Sequence, residues 1–203
     1  MCIIVVKPES VDLSIDTIVN MWIHNPHGAG FMYEDDGNLK IVKGLMNIKD
    51  FYDAYSSVRD RKLVIHFRIR THGEISQELT HPFRIDRKTG MVHNGILPIN
   101  PPKGESDTSF FARRLRESNQ NIMGVLESRK VRQRMISRIG RSKIAFMNNA
   151  GKVQILNGHM GHMEADGCWY SNNSYKSHDD YKKLIALDYD PKNWYGSSEM
   201  IVM

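Results

Sequence analysis

Apolar and polar positions alternate along this chain in two rhythms, and the switches between them mark its elements. Cys2–Lys7 (CIIVVK) is an unbroken apolar run rich in β-branched residues, which predicts a buried strand ended by Pro8. Leu13, Ile15, Ile18, Val19 and Trp22 recur at helical spacing and predict a short helix over Asp12–Trp22. Phe31–Glu34 and Leu39–Lys43 flank Asp35-Asp36-Gly37-Asn38, the pattern of a β-hairpin. Phe51, Tyr52 and Tyr55 give a helix over Ile48–Val58 one apolar face. Lys62–Arg68 (KLVIHFR) predicts a second strand, and Met91–Val92 a brief one. Ser106 is a capping residue ahead of Phe110, Phe111 and Leu115, so a helix is expected over Ser106–Glu117. Asn121–Ile139 reads as a single, strongly basic helix. Lys143–Met147, Lys152–Leu156 and Cys168–Ser171 predict strands joined by Gly and Asn turns, and Leu184–Asp188 a last one. Strands and helices in blocks predict an α+β layered fold.

Composition narrows the class. A chain of 203 residues predicts one domain over 1–203, with 191–203 a C-terminal tail of little periodicity. No apolar run approaches the ~20 residues of a membrane span. The N-terminus lacks the basic region and long apolar stretch of a signal peptide. A cytoplasmic location is expected, with no membrane partner. Two cysteines, Cys2 and Cys168, are too few for a disulfide framework, so both thiols are expected free. The nine histidines form no HExxH and no CxxC pairing exists; neither a metal nor another cofactor is expected.

Charge adds one feature. The net charge of +5 is uneven: between Arg113 and Lys143 ten Lys/Arg stand against two acids, a balance of +8 that leaves −3 for the remainder. The segment 113–143 reads either as a solvated helix face or as a surface for nucleic acid or an acidic protein partner. It has no aromatic residue between Ala112 and Ile144, which argues against stacking on single-stranded bases.

The candidate chemistry begins at Cys2. Behind an initiator methionine, a residue this small permits Met1 to be clipped. The new terminus would carry a thiol of ordinary pKa ~8.5 and an α-amine of ~8. An amine so placed can take the thiol proton without a separate histidine. Taken alone, Cys2 reads as the inert opening residue of a buried strand. Four fragments further on change that: His66-Phe67-Arg68-Ile69-Arg70-Thr71-His72-Gly73, His81-Pro82-Phe83, His93-Asn94-Gly95 and Ser106-Asp107-Thr108. Together with Cys2, and in this order, they resemble the glutaminase domain of class II glutamine amidotransferases, within the N-terminal nucleophile hydrolases.

The resemblance covers Met1 to about Leu115 by motif and implies a four-layer αββα sandwich of the N-terminal nucleophile type. It implies Cys2 as nucleophile, with Asn94 and Gly95 holding the oxyanion. Arg68 and Asp107 would clamp the carboxylate and ammonium of glutamine, and Thr71 and His72 would line the pocket. In the family such a domain feeds ammonia to a fused acceptor domain; this chain has no room for one, so it is expected either to work with a separate synthase or to hydrolyse an amide for its own sake. These residue types suit amide cleavage. An oxyanion needs fixed donors about 3 Å away, and a guanidinium grips a carboxylate in bidentate fashion. On local grounds alone Asn94-Gly95 is a tight turn, Asp107 a helix cap, and His66 and His81 core residues. The chain departs from the family pattern at Ile3 behind the nucleophile, at Ile69 and Arg70, at His27, and at Ser109 behind the Asp-Thr pair. The alternative expectations are an N-terminal nucleophile fold acting on another amide, or a non-catalytic protein that binds through 113–143.

Overall fold

The computed structural model describes residues 2–70 and 74–176. Its elements are mixed α and β, with two antiparallel sheets. The first sheet has strand order β3-β2-β4-β1-β10-β9. It is built from β1 (Ile3–Lys7), β2 (Ala29–Asp35), β3 (Asn38–Leu45), β4 (Leu63–Phe67), β9 (His162–Met163) and β10 (Trp169–Tyr170). The second has order β5-β6-β7-β8. It comprises β5 (Phe83–Arg84), β6 (Thr89–Asn94), β7 (Lys143–Asn148) and β8 (Val153–Leu156).

The unbroken apolar runs of β1 and β4 reflect burial on both faces. Ile3 and Val5 point into one cluster with Leu63, Ile65 and Phe67. Ile4 and Val64 point the other way, against Val92, Ala145 and Met147 of the second sheet. Helices α1 (Ile15–His24) and α2 (Ile48–Ser56) close the first cluster with Ile18, Val19, Trp22, Phe51 and Tyr55. The outer face of the second sheet is covered by α3 (Asp107–Glu117), α4 (Ile122–Val125) and α5 (Arg129–Ile139), through Ala112, Ile122, Met123 and Ile139.

Most sequence-predicted elements are present, with shifts at their ends. The basic helix expected over Asn121–Ile139 is two helices. The side chain of Ser128 accepts from Val131 N while its own backbone is extended, so it starts α5 and ends what precedes it. Asn121 caps α4 in the same way, through Gly124 N. The brief strand expected at Met91–Val92 is the six-residue β6, buried throughout. Gly158–Met163 divides into a 3₁₀ turn over Gly158–Met160 and the edge strand β9. The expected strand Leu184–Asp188 and the tail 191–203 lie outside the described residues.

Candidate active site

Cys2 precedes β1, the strand held between β4 and β10. Three bonds fix this end of the chain to a segment about 170 positions away. Asn172 Nδ2 donates to Cys2 O at 2.8 Å. Ile4 N donates to Ser171 Oγ at 2.8 Å, and Ser171 N returns a bond to Ile4 O at 2.9 Å. On sequence alone, 171–174 reads as an edge of the pocket or, the favoured reading, as an ordinary strand and turn; the fold brings Ser171 and Asn172 against the candidate nucleophile. Their separation in sequence hides this.

The Cys2 Sγ lies 3.4 Å from both the backbone N and the backbone O of Ile69. Burial raises the thiol pKa above its ordinary value. The Ile69 amide and the Arg68 charge pull it down, but burial dominates. The sequence-based expectation of a thiol near its unperturbed pKa therefore does not hold, and ionising Cys2 calls for a base.

Arg68 follows β4 directly. Its backbone N donates to Gly28 O at 2.8 Å and its O accepts from His27 N at 2.9 Å, which extends the sheet pairing by one step. Only 4 % of the residue is exposed. His27, where the family carries an acid, accepts from Arg70 N at 2.8 Å through Nδ1. Burial and the Arg68 and Arg70 charges lower its pKa, so it is neutral at pH 7.

Gly95 has φ +143°, and a Cβ there would stand 2.4 Å from Ser142 Oγ. Asn94-Gly95 is thus no hairpin turn: Asn94 ends β6 opposite Lys143, and the chain leaves along Ser142. Asn94 Nδ2 is 2.8 Å from Ser171 Oγ, while Asn94 Oδ1 is buried without a hydrogen-bond partner. Ser171 Oγ already accepts the Ile4 amide. Its own proton finds an acceptor if the Asn94 carboxamide turns by half a rotation, which places Oδ1 on Ser171 and leaves Nδ2 with protons to donate.

Asp107 is the first residue of α3 and not its cap. Ser106 caps the helix, and Ser109 completes the capping box by accepting from Ser106 N. That is the local job of Ser109, where the family carries an acid. The Asp107 carboxylate is fixed by Leu97 N on Oδ2 and Thr108 N on Oδ1, both at 2.8 Å. Thr108 Oγ1 also lies 3.3 Å from Oδ1, so Oδ2 is the oxygen that keeps a lone pair for a further donor. Behind it, His93 Nδ1 lies 2.7 Å from Thr108 Oγ1. His66 Nε2 donates to His93 O at 3.0 Å, and His81 Nδ1 accepts from His93 N at 3.3 Å. Burial lowers the pKa of all three, to about 3 for His66. They are neutral at pH 7.

Cys2, Arg68, Ile69, Gly95 and Asp107 line one cleft, with His81 and His93 among its walls. Asn94 stands just behind that lining. Thr71 and His72 lie outside the described residues. The cleft holds about 30 Å³. That is room for a water or two and far below the ~300–1,000 Å³ of a small-molecule pocket. A larger cavity of about 910 Å³ opens elsewhere, lined by Lys88, Thr89, Arg116, Asn121 and Lys152. It lies at the Thr89 end of β6, the end away from Asn94. The chemistry-bearing residues gather in the smaller space.

No protein-family model matches this sequence, and no curated protein matches it. Among solved structures the fold is similar to glutamine phosphoribosylpyrophosphate (PRPP) amidotransferase from B. subtilis, complexed with ADP and GMP. The two are 13% identical with a TM-score of 0.51, over 86% of this chain and 42% of that one. This chain therefore spans less than half the length of that amidotransferase, and the likeness is one of fold.

Proposed function

We propose that this chain acts as a hydrolase of the class II glutamine amidotransferase type, folded as the four-layer αββα sandwich of N-terminal nucleophile hydrolases. Removal of Met1 leaves Cys2 with a free α-amine. That amine takes the thiol proton, and the thiolate attacks the carboxamide carbon of glutamine. Gly95 N–H and Asn94 Nδ2 receive the oxyanion. The C–N bond breaks, the amine returns its proton to the departing ammonia, and a γ-glutamyl thioester remains on Cys2. Water, deprotonated by the same amine, cleaves the thioester to glutamate and restores the thiol. Arg68 holds the substrate carboxylate and Asp107 its ammonium. Ammonia passes to a separate synthase.

One observation carries this reading. Residues 2, 68, 95 and 107 are far apart in sequence and line a single cleft. The fold likeness to an amidotransferase supports it further.

The test is an intact mass and a glutamine-to-glutamate assay on one sample. We expect loss of Met1, turnover of glutamine, labelling of Cys2 by diazo-oxo-norleucine, and no activity in Cys2→Ala. A processed protein that neither turns over glutamine nor takes the label at Cys2 would sink the proposal.

A further inference from the structure

We propose that the exposed face of α5 docks on the phosphate backbone of a nucleic-acid duplex. This inference is independent of the glutaminase reading. Lys130, Arg134 and Arg138 recur every four residues and form a row on one side of the helix. Arg141 follows directly after the Gly140 cap. All four are exposed, and among the described residues none has an acid within ion-pair distance. The opposite face, with Met135, Ile136 and Ile139, packs on the second sheet.

Several bases elsewhere on the described surface are paired with acids. Arg113 bonds Glu105 and Glu117, Arg59 meets Asp12, Arg61 meets Asp35, and Lys152 meets Glu127. On α5 the charge also opposes the helix itself. No acid stands in its first turn, where Arg129 and Lys130 face the positive end of the helix dipole. Like charges at i,i+4 add repulsion. A helix that bears these costs without an internal counterion gains from an external polyanion.

The face also selects the kind of polyanion. Between Lys130 and Arg138 the exposed positions are Arg132, Gln133, Arg134 and Ser137, with no aromatic or large apolar anchor. Protein interfaces set Arg anchors among buried aromatic ones, which this face lacks, and single-strand binders need aromatic platforms. A duplex backbone needs only fixed cations. The three helical cations stand about 6 Å apart along the axis, by the helical rise. The row ends near the candidate cleft, since Ser142 packs on Gly95 and Lys143 pairs with Asn94.

The test titrates the full chain into a labelled 25-base-pair DNA duplex, and into an RNA duplex of equal length, by fluorescence anisotropy. Affinity for at least one duplex should fall on the order of a hundredfold between 50 and 200 mM salt, as expected for about four phosphate contacts. Replacing Lys130, Arg134, Arg138 and Arg141 together by Ala should cost tenfold or more in affinity at 50 mM salt and flatten the salt slope. Thermal melting of that variant should be unchanged or improved. Arg59→Ala with Arg61→Ala, whose bases are paired, should bind as the parent does. Cys2→Ala should also bind normally, which keeps this result separate from any failure of the glutaminase assay. The proposal is overturned by a flat salt response, by parent-like binding of the quadruple variant, or by equal affinity for polyglutamate or for anionic lipid vesicles.

Discussion

Asn94 is the residue on which the proposed oxyanion site turns. Its buried Oδ1 has no partner while Nδ2 lies on Ser171. With the carboxamide reversed, Ser171 becomes the group that orients the donor without itself meeting substrate. Asn94→Ala should lower kcat by about 100- to 1,000-fold, the usual loss for one oxyanion donor. Ser171→Ala should lower kcat by roughly tenfold and leave KM nearly unchanged, with Ser171→Thr restoring most of the loss. A change confined to KM would remove Ser171 from this role. Gly95 is constrained by space as well as by φ, because a Cβ meets Ser142 Oγ, Cα and Cβ, all within 3 Å. Gly95→Ala should cost about 1–3 kcal/mol in urea unfolding, from strain at positive φ and the clash together.

At the scale of elements, the site is assembled from ends. Cys2 leads into β1, Arg68 leaves β4, Gly95 leaves β6 and Asp107 opens α3. The α3 terminus shows how an element serves the site. Ser106 and Ser109 pair reciprocally across the first turn, and of that turn's donors the Asp107 carboxylate holds only Thr108 N. Ser106→Ala should destabilise the protein by about 1 kcal/mol in thermal melts. By loosening the first turn it should also raise KM for glutamine more than it lowers kcat. Retained KM with the same stability loss would separate the cap from substrate binding. The 121–139 segment repeats the theme. Its periodicity runs through as one helix, but the extended backbone of Ser128 divides it.

The whole molecule joins two sheets across a seam that buries His66, His81 and His93. A histidine kept neutral by burial ties folding to pH. Its folded pKa lies below its unfolded value of ~6.5, so the unfolded chain binds the proton first as pH falls. Stability is complete above about pH 6.5 and declines below it. For His66, whose pKa is pushed down to about 3, the loss between pH 7 and pH 5 is about 2 kcal/mol. His81 adds to it, since its pKa also lies well below the ordinary value. Urea midpoints should therefore drop markedly from pH 7 to pH 5. His66→Gln should flatten that dependence, and an unchanged slope in the variant would show that His66 is protonated in the fold.

Local states were legible in the order of residues. Apolar runs mark β1 and β4, the Asp35–Asn38 turn marks the β2–β3 hairpin, and Ser106 marks the start of α3, because these depend on neighbours within a few residues. The candidate residues Cys2, Arg68, Asn94, Gly95 and Asp107 were legible too, through their order along the chain. The remainder was settled only by the packing of distant segments. Strand pairing brought Ser171 and Asn172 onto the Cys2 end of β1. Ser142 dictated a glycine at 95. Burial, not residue type, raised the Cys2 pKa and lowered those of the three histidines. Such effects arise from contacts between segments up to 170 positions apart. Local periodicity carries no information about which distant segment will meet which, so no pattern within a single stretch of chain encodes them.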